Sequence, residues 1–205
     1  GKERDMNENL REQIKFGTDG WRGVIADNFT FVNVRIVAQA IANWIKNDLQ
    51  KLQGSSVAMG YDTRFLSKEF AQAVSAVLAG NGYVVHFSDT SIPTPALSYG
   101  VTRLQSVCGI MITASHNPAK FNGIKIKTAQ GGGAPKEITD KVEEYLGRTP
   151  VVSVDFDAAI KEKKIVLHDY KVEYLKFIKK YINLKKVSQS KFKVLTDVMH
   201  GSGST

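Results

Sequence analysis

Cysteine is almost absent: Cys108 is the single thiol in 205 residues. That excludes a disulfide framework and a thiolate-rich zinc site. The four histidines, His86, His116, His168 and His200, are scattered and form no metal-ligand pair. No uninterrupted apolar run approaches the ~18 residues of a membrane span. The opening stretch GKERDMNENLREQIK is polar and mixed in charge, unlike a signal peptide. Its first residue is Gly rather than Met, which reads as a mark of processing or as an added residue. A reducing, cytoplasmic setting is therefore expected, with no membrane partner. Proline is also scarce, at 5 residues against 17 Gly, in a chain that is 42% hydrophobic and 23% charged. Collagen, coiled coil and wholesale disorder are excluded. A domain of ~150 residues buries ~70% of its unfolded surface, so the core needs no staple.

Negative charge is in deficit, and the net charge is +8. Such a balance invites a nucleic-acid reading, but its distribution argues against one. Residues 1–160 carry 17 Lys and Arg against 16 Asp and Glu, whereas residues 161–205 carry 11 Lys against 4 acids. These late lysines alternate with Tyr170, Tyr174, Phe177, Ile178, Tyr181 and Ile182 at helical spacing. A solvated helix face is the expected reading, with a face for a missing neighbour and a polyanion-binding face as the alternatives, and no nucleic-acid partner is expected.

What is present is an alternation of helical and extended patterns, the mark of a parallel α/β sheet. The spacing predicts a helix over 31–52 capped by Thr30 and a buried strand over 55–61. A helix capped by Ser67 over 67–80 and a strand over 83–87 follow. Next come a short helix near 95–103, an apolar strand over 107–112, a strand over 123–127 and a helix over 136–147. Residues 148–168 read as a connector in which Asp155-Phe156-Asp157 caps or begins a helix. A helix over 169–183 and a strand over 192–197 (FKVLTD) close the chain. The segment 16–23 reads as a polar, Gly-spaced loop.

In parallel sheets, ligands bind beyond the carboxyl ends of the strands. The segments there are Asp62-Thr63-Arg64, Ile92-Pro93-Thr94-Pro95 and Thr113-Ala114-Ser115-His116-Asn117-Pro118. Ser115 sits between Ala114 and an Asn-Pro turn. Two readings stand: a hydroxyl bonding its own backbone turn, or one projecting from a fixed backbone to do chemistry. A Ser-His-Asp hydrolase is disfavoured, since adjacent Ser115 and His116 do not readily pair and the GxSxG elbow is missing. A serine carrying a phosphoryl group instead needs cations and backbone N–H groups. Arg22, Arg64 and Lys125 are the candidates. Asp62 and Arg64 read equally as a structural ion pair or as a pair positioning phosphate.

Five blocks occur in one order: FGTDGWRG (16–23), GYDTR (60–64), IPTP (92–95), TASHNP (113–118) with NGIKIK (122–127), and DVMHGSG (197–203). In this the chain resembles the α-D-phosphohexomutases. The resemblance implies an α/β fold, with a mostly parallel mixed sheet covered by helices on both faces and the start of a second α/β domain. It implies that Ser115 is the phosphorylated serine, whose phosphate oxygen helps ligate Mg²⁺. His116 would be its active-site neighbour, Arg22 the phosphate-contacting arginine and Lys125 the general acid/base. Asp62 and Arg64 would position substrate or phosphate.

On that basis residues 1–13 are expected to be a polar tail and 14–165 the first phosphohexomutase domain. Residues 166–205 would be a linker helix and the first strand of a second domain. The implied reaction interconverts a hexose 1-phosphate and 6-phosphate through a phosphoserine and a bisphosphate sugar, with glucose or mannose phosphate as substrate. The segment alone is expected to be inactive and to self-associate through its C-terminal part. The alternatives are a phosphoglucosamine mutase, or a non-catalytic module that binds phosphosugars.

Overall fold

The computed structural model describes residues 10, 12–50 and 54–204. Most of the expected N-terminal tail lies outside them, as does Leu52. Six strands form one sheet: β1 (Gly20–Val24), β2 (Ser56–Tyr61), β3 (Val84–Ser88), β4 (Cys108–Ile112), β5 (Phe121–Thr128) and β6 (Ile165–His168), in the order β1-β5-β4-β2-β3-β6. β4, β2, β3 and β6 run parallel, while β5 is antiparallel to both β4 and β1. The expected mostly parallel mixed sheet is thus what forms.

Helices cover both faces. On one side lie α1 (Phe31–Asn47), α2 (Ser67–Gly80), α4 (Lys136–Glu144) and α5 (Phe156–Lys161). On the other, α3 (Thr94–Arg103) and α6 (Tyr170–Tyr181) enclose a smaller cluster of Ala58, Ile92, Leu97, Val101, Met111 and Tyr170. β4 is buried along its whole length, as a strand sandwiched between two helix layers must be. The larger core is pinned by Trp21 stacked on Phe29 at 4.7 Å, with Phe70 edge-on to Phe29 at 4.8 Å. Thr30 caps α1 by accepting from Asn33 N, and Asp155 caps α5 by accepting from Ala158 N.

Four sequence expectations are corrected. The 16–23 loop contains a strand: within β1, Trp21 and Gly23 are buried and Arg22 is exposed, a half-buried alternation that glycines at 20 and 23 disguise. The 148–168 connector holds β6, whose four residues extend the sheet beside β3 and straddle the domain boundary expected at 165. Ser67 is not the cap of α2. Leu66 takes that place with a φ of 61°, and Ser67 Oγ instead donates to Asp62 Oδ1 at 2.7 Å. The strand expected over 192–197 does not form; Phe192 is 86% and Leu195 96% exposed. An extended apolar segment becomes a strand only where a neighbouring edge satisfies its N–H and C=O groups, and among the described residues no strand pairs with 192–197.

The aromatic stripe of α6 finds part of its cover within the chain. Tyr170 is buried against α3 and donates its hydroxyl to His86 O at 2.6 Å, and Phe177 stacks on Tyr99 at 4.4 Å. The stripe's far end, Tyr181 and Ile182, is exposed. A short helix α7 (Leu184–Ser188) follows.

Candidate active site

The loops after β2, β3 and β4 line one open cavity of about 640 Å³, together with residues 199–202. Asp62, Thr63 and Arg64 come from the first loop, Ile92 to Pro95 from the second, and Thr113, Ser115 and Asn117 from the third. The late segment is tied in by Thr63 Oγ1, which donates to His200 O at 2.9 Å.

Ser115 is exposed and holds a φ of 56°, the left-handed region that residues with a Cβ usually avoid. Its N–H donates to Thr113 Oγ1 at 3.0 Å, and Asn117 N closes the turn onto Ala114 O at 3.0 Å. Its own hydroxyl is left for Lys125, whose Nζ donates to Ser115 Oγ at 3.1 Å. Among the described residues that hydroxyl makes no bond to its own backbone turn. Lys125 reaches it because β5 returns antiparallel to β4, opposite Met111.

Two features depress the Lys125 pKa below the ordinary lysine value. Burial comes first and the Arg22 cation second; Lys127 adds a little, and Asp19 pulls the other way. Both effects disfavour an added positive charge. Arg22 lies on β1, where Gly23 and the buried Trp21 aim it outward, and its guanidinium donates to Asn117 Oδ1 at 2.6 Å. The cations Arg22 and Lys125 thus flank the Ser115 loop, one reaching its hydroxyl and the other its asparagine.

Arg64 has a different setting. Its guanidinium donates to three main-chain carbonyls of the Ser115 loop and to that of Phe121 at the start of β5, and its Nε faces Asp62 Oδ2 at 3.5 Å. Both readings of the Asp62–Arg64 pair therefore keep a footing: it is an ion pair, and it lies against the Ser115 loop. His116 is exposed, and its side chain makes no hydrogen bond among the described residues. Asn117, which sequence reasoning noticed only as half of a turn, meets both arginines; neither propensity nor spacing signals that double contact.

The implied Mg²⁺ can be tested against the donor set. Mg²⁺ demands a near-octahedral shell of oxygens. No group of three or more His, Cys, Asp or Glu that could hold a metal occurs among the described residues. Beside Ser115 stand cations, and the Asp62 carboxylate is already taken up by Arg64 and Ser67. These residues offer the ion one oxygen, that of Ser115, and do not build its site.

Residues 13–150 match the family described as phosphoglucomutase/phosphomannomutase, alpha/beta/alpha domain I. A phosphoglucomutase of Staphylococcus saprophyticus is 35% identical over 98% of this chain, and one of Staphylococcus haemolyticus is 32% identical over 97%. The chain spans 37% of the length of both. A candidate phosphomannomutase from Thermus thermophilus superposes with a TM-score of 0.75 at 34% identity, over 86% of this chain and 38% of that one. Paramecium parafusin, at 22% identity, shares the fold with a TM-score of 0.79 over 93% of this chain and 39% of its own. With the ordered loops, the Ser115–Lys125 contact and this match in view, the chain belongs to the phosphoglucomutase/phosphomannomutase family and carries its α/β/α domain I.

Proposed function

We propose that this chain is the phosphoserine-bearing part of a phosphohexomutase that interconverts hexose 1-phosphate and hexose 6-phosphate. The observation that carries the reading is the approach of Lys125 to the hydroxyl of Ser115, on a loop whose backbone is held by buried neighbours. In the proposed reaction the bond between phosphorus and Ser115 Oγ breaks as the phosphoryl group passes to the free hydroxyl of the sugar phosphate. The proton of that hydroxyl has to end on Ser115 Oγ. Lys125 is placed to deliver it, and its lowered pKa suits a group that gives and takes a proton. Such transfers need neutralisation of oxygen charge more than covalent help. Arg22, permanently charged, serves that need. His116 is assigned the rim of the site. The oxygen shell of Mg²⁺ would have to come from residues outside this set.

The test is phosphoryl incorporation from radiolabelled glucose 1,6-bisphosphate, with peptide mapping of the label. We expect label on Ser115 in a polypeptide of the relatives' length and none in its Ser115→Ala variant. This chain alone is expected not to turn over glucose 1-phosphate. Undiminished labelling of Ser115→Ala, or label mapped to another residue, refutes the assignment.

A further inference from the structure

We propose that Arg64, rooted on Asp62, is the positioning residue of the Ser115 loop: it sets the loop's backbone and has no donor left for phosphate. The functional consequence rests on the reading of Ser115 as the phosphoryl carrier, while the structural claim stands on geometry alone. Arg64 Nη1 donates to Pro118 O and Phe121 O, each at 3.0 Å. Its Nη2 donates to Ser115 O at 2.9 Å and to Asn117 O at 2.6 Å. The two terminal nitrogens carry four N–H groups, and all four are committed to main-chain carbonyls of residues 115–121. The fifth, on Nε, faces the Asp62 carboxylate.

Four carbonyl oxygens drawn from residues 115–121 therefore converge on one cation. Parallel dipoles aimed at a common point repel, so the loop needs the cation to hold this shape. That shape includes the left-handed Ser115, a conformation that persists where surroundings over-determine it. The anchor is itself held from below. Asp62 Oδ1 accepts from Arg64 N at 3.0 Å and from Ser67 Oγ at 2.7 Å, and Ser67 Oγ accepts from the buried Asn122 at 2.9 Å. The clamp thus runs from the start of α2 and β5 up to the serine. A planar fork with five donors fits this task, and an ammonium with three does not. Asn117 passes the ordering on, because its carbonyl bonds Arg64 while its side chain holds Arg22.

The experiment is amide hydrogen exchange of this chain together with the Ser115 Cα and Cβ chemical shifts, in the parent, Arg64→Lys and Asp62→Asn. In Arg64→Lys, amides of 115–121 are expected to exchange at least about tenfold faster while those of β2, β4 and α1 keep their protection. The Ser115 shifts should leave the left-handed range. Asp62→Asn should move both readouts the same way, to a smaller extent. Unchanged loop exchange and Ser115 shifts in folded Arg64→Lys overturn the proposal. So does an equal rise in exchange across loop and core, which signals general destabilisation alone. If Arg64→Lys fails to fold, Asp62→Asn decides by the same two readouts. None of these measurements needs phosphoryl transfer: failure to label Ser115 would sink the functional reading and leave the clamp standing, and the reverse outcome would do the opposite.

Discussion

Lys125 Nζ lies 3.1 Å from Ser115 Oγ, across the turn that reverses the chain between β4 and β5. The amine is partly buried and shares its surroundings with Arg22, so its pKa sits below the ordinary lysine value of 10.5. This pair gives the first prediction. Arg22→Gln should raise the Lys125 pKa by removing a repelling cation, without restoring the ordinary value, since burial is the larger cause. Asp19→Asn should lower it further. Following the Lys125 Cε resonance against pH measures both shifts. The linkage has a definite sign: the folded amine binds its proton more weakly than the unfolded one. Stability should therefore rise with pH between the lowered value and 10.5.

Gly123→Ala should damage the site from within the sheet. A Cβ at that position would stand 2.7 Å from Thr113 O and 2.8 Å from Trp21 O, both of them backbone atoms with little room to give. Overpacking of this kind costs roughly 1–3 kcal/mol. Chemical denaturation should show that loss, and loop resonances from Thr113 to Asn117 should shift with it.

Tyr170 anchors α6, and its two contributions are separable. Tyr170→Phe removes the hydroxyl bond to His86 O and should cost about 0.5–1.5 kcal/mol. Tyr170→Ala also empties the cluster around Leu97, Val101 and Met111, with an expected cost of about 3–5 kcal/mol. Hydrogen exchange should locate the loss in α6 and β6 and leave α1 and α2 protected.

Cys108 should be chemically silent in the folded state. Burial pushes its thiol up to about 12, so thiolate is scarce near pH 8. Labelling by a thiol reagent should proceed only as fast as the core opens, and should become rapid in denaturant. Fast labelling of the native protein would contradict this burial.

Several of these features were legible before any coordinates. Apolar runs such as CGIMI marked a strand covered on both faces, and the stripe of α1 marked its inward side. The candidates Ser115, Arg22, Lys125, Asp62 and Arg64, scattered over a hundred residues, do share one edge of the sheet. For Ser115, Asp62 and Arg64 order along the chain carried that much, because loops at the carboxyl ends of parallel strands fall together. Arg22 and Lys125 come instead from β1 and β5, whose pairings are antiparallel. β6 escaped notice because four residues are too few to show a period. FKVLTD misled for the opposite reason: its pattern was strand-like, but among the described residues it pairs with no strand.

Local pattern, set by side-chain volume and polarity, determined where most of the helices and the central strands arise. Tertiary structure alone decided what the loops between them do to one another. It bent Ser115 into the left-handed region, committed the Arg64 donors to four carbonyls, and left Arg22 on the exposed face of β1. The physical reason is that hydrogen-bond satisfaction is a property of assembled neighbours. A sequence names the donors and acceptors, but only the packed sheet edge brings Arg64 to four carbonyls and Lys125 to one hydroxyl.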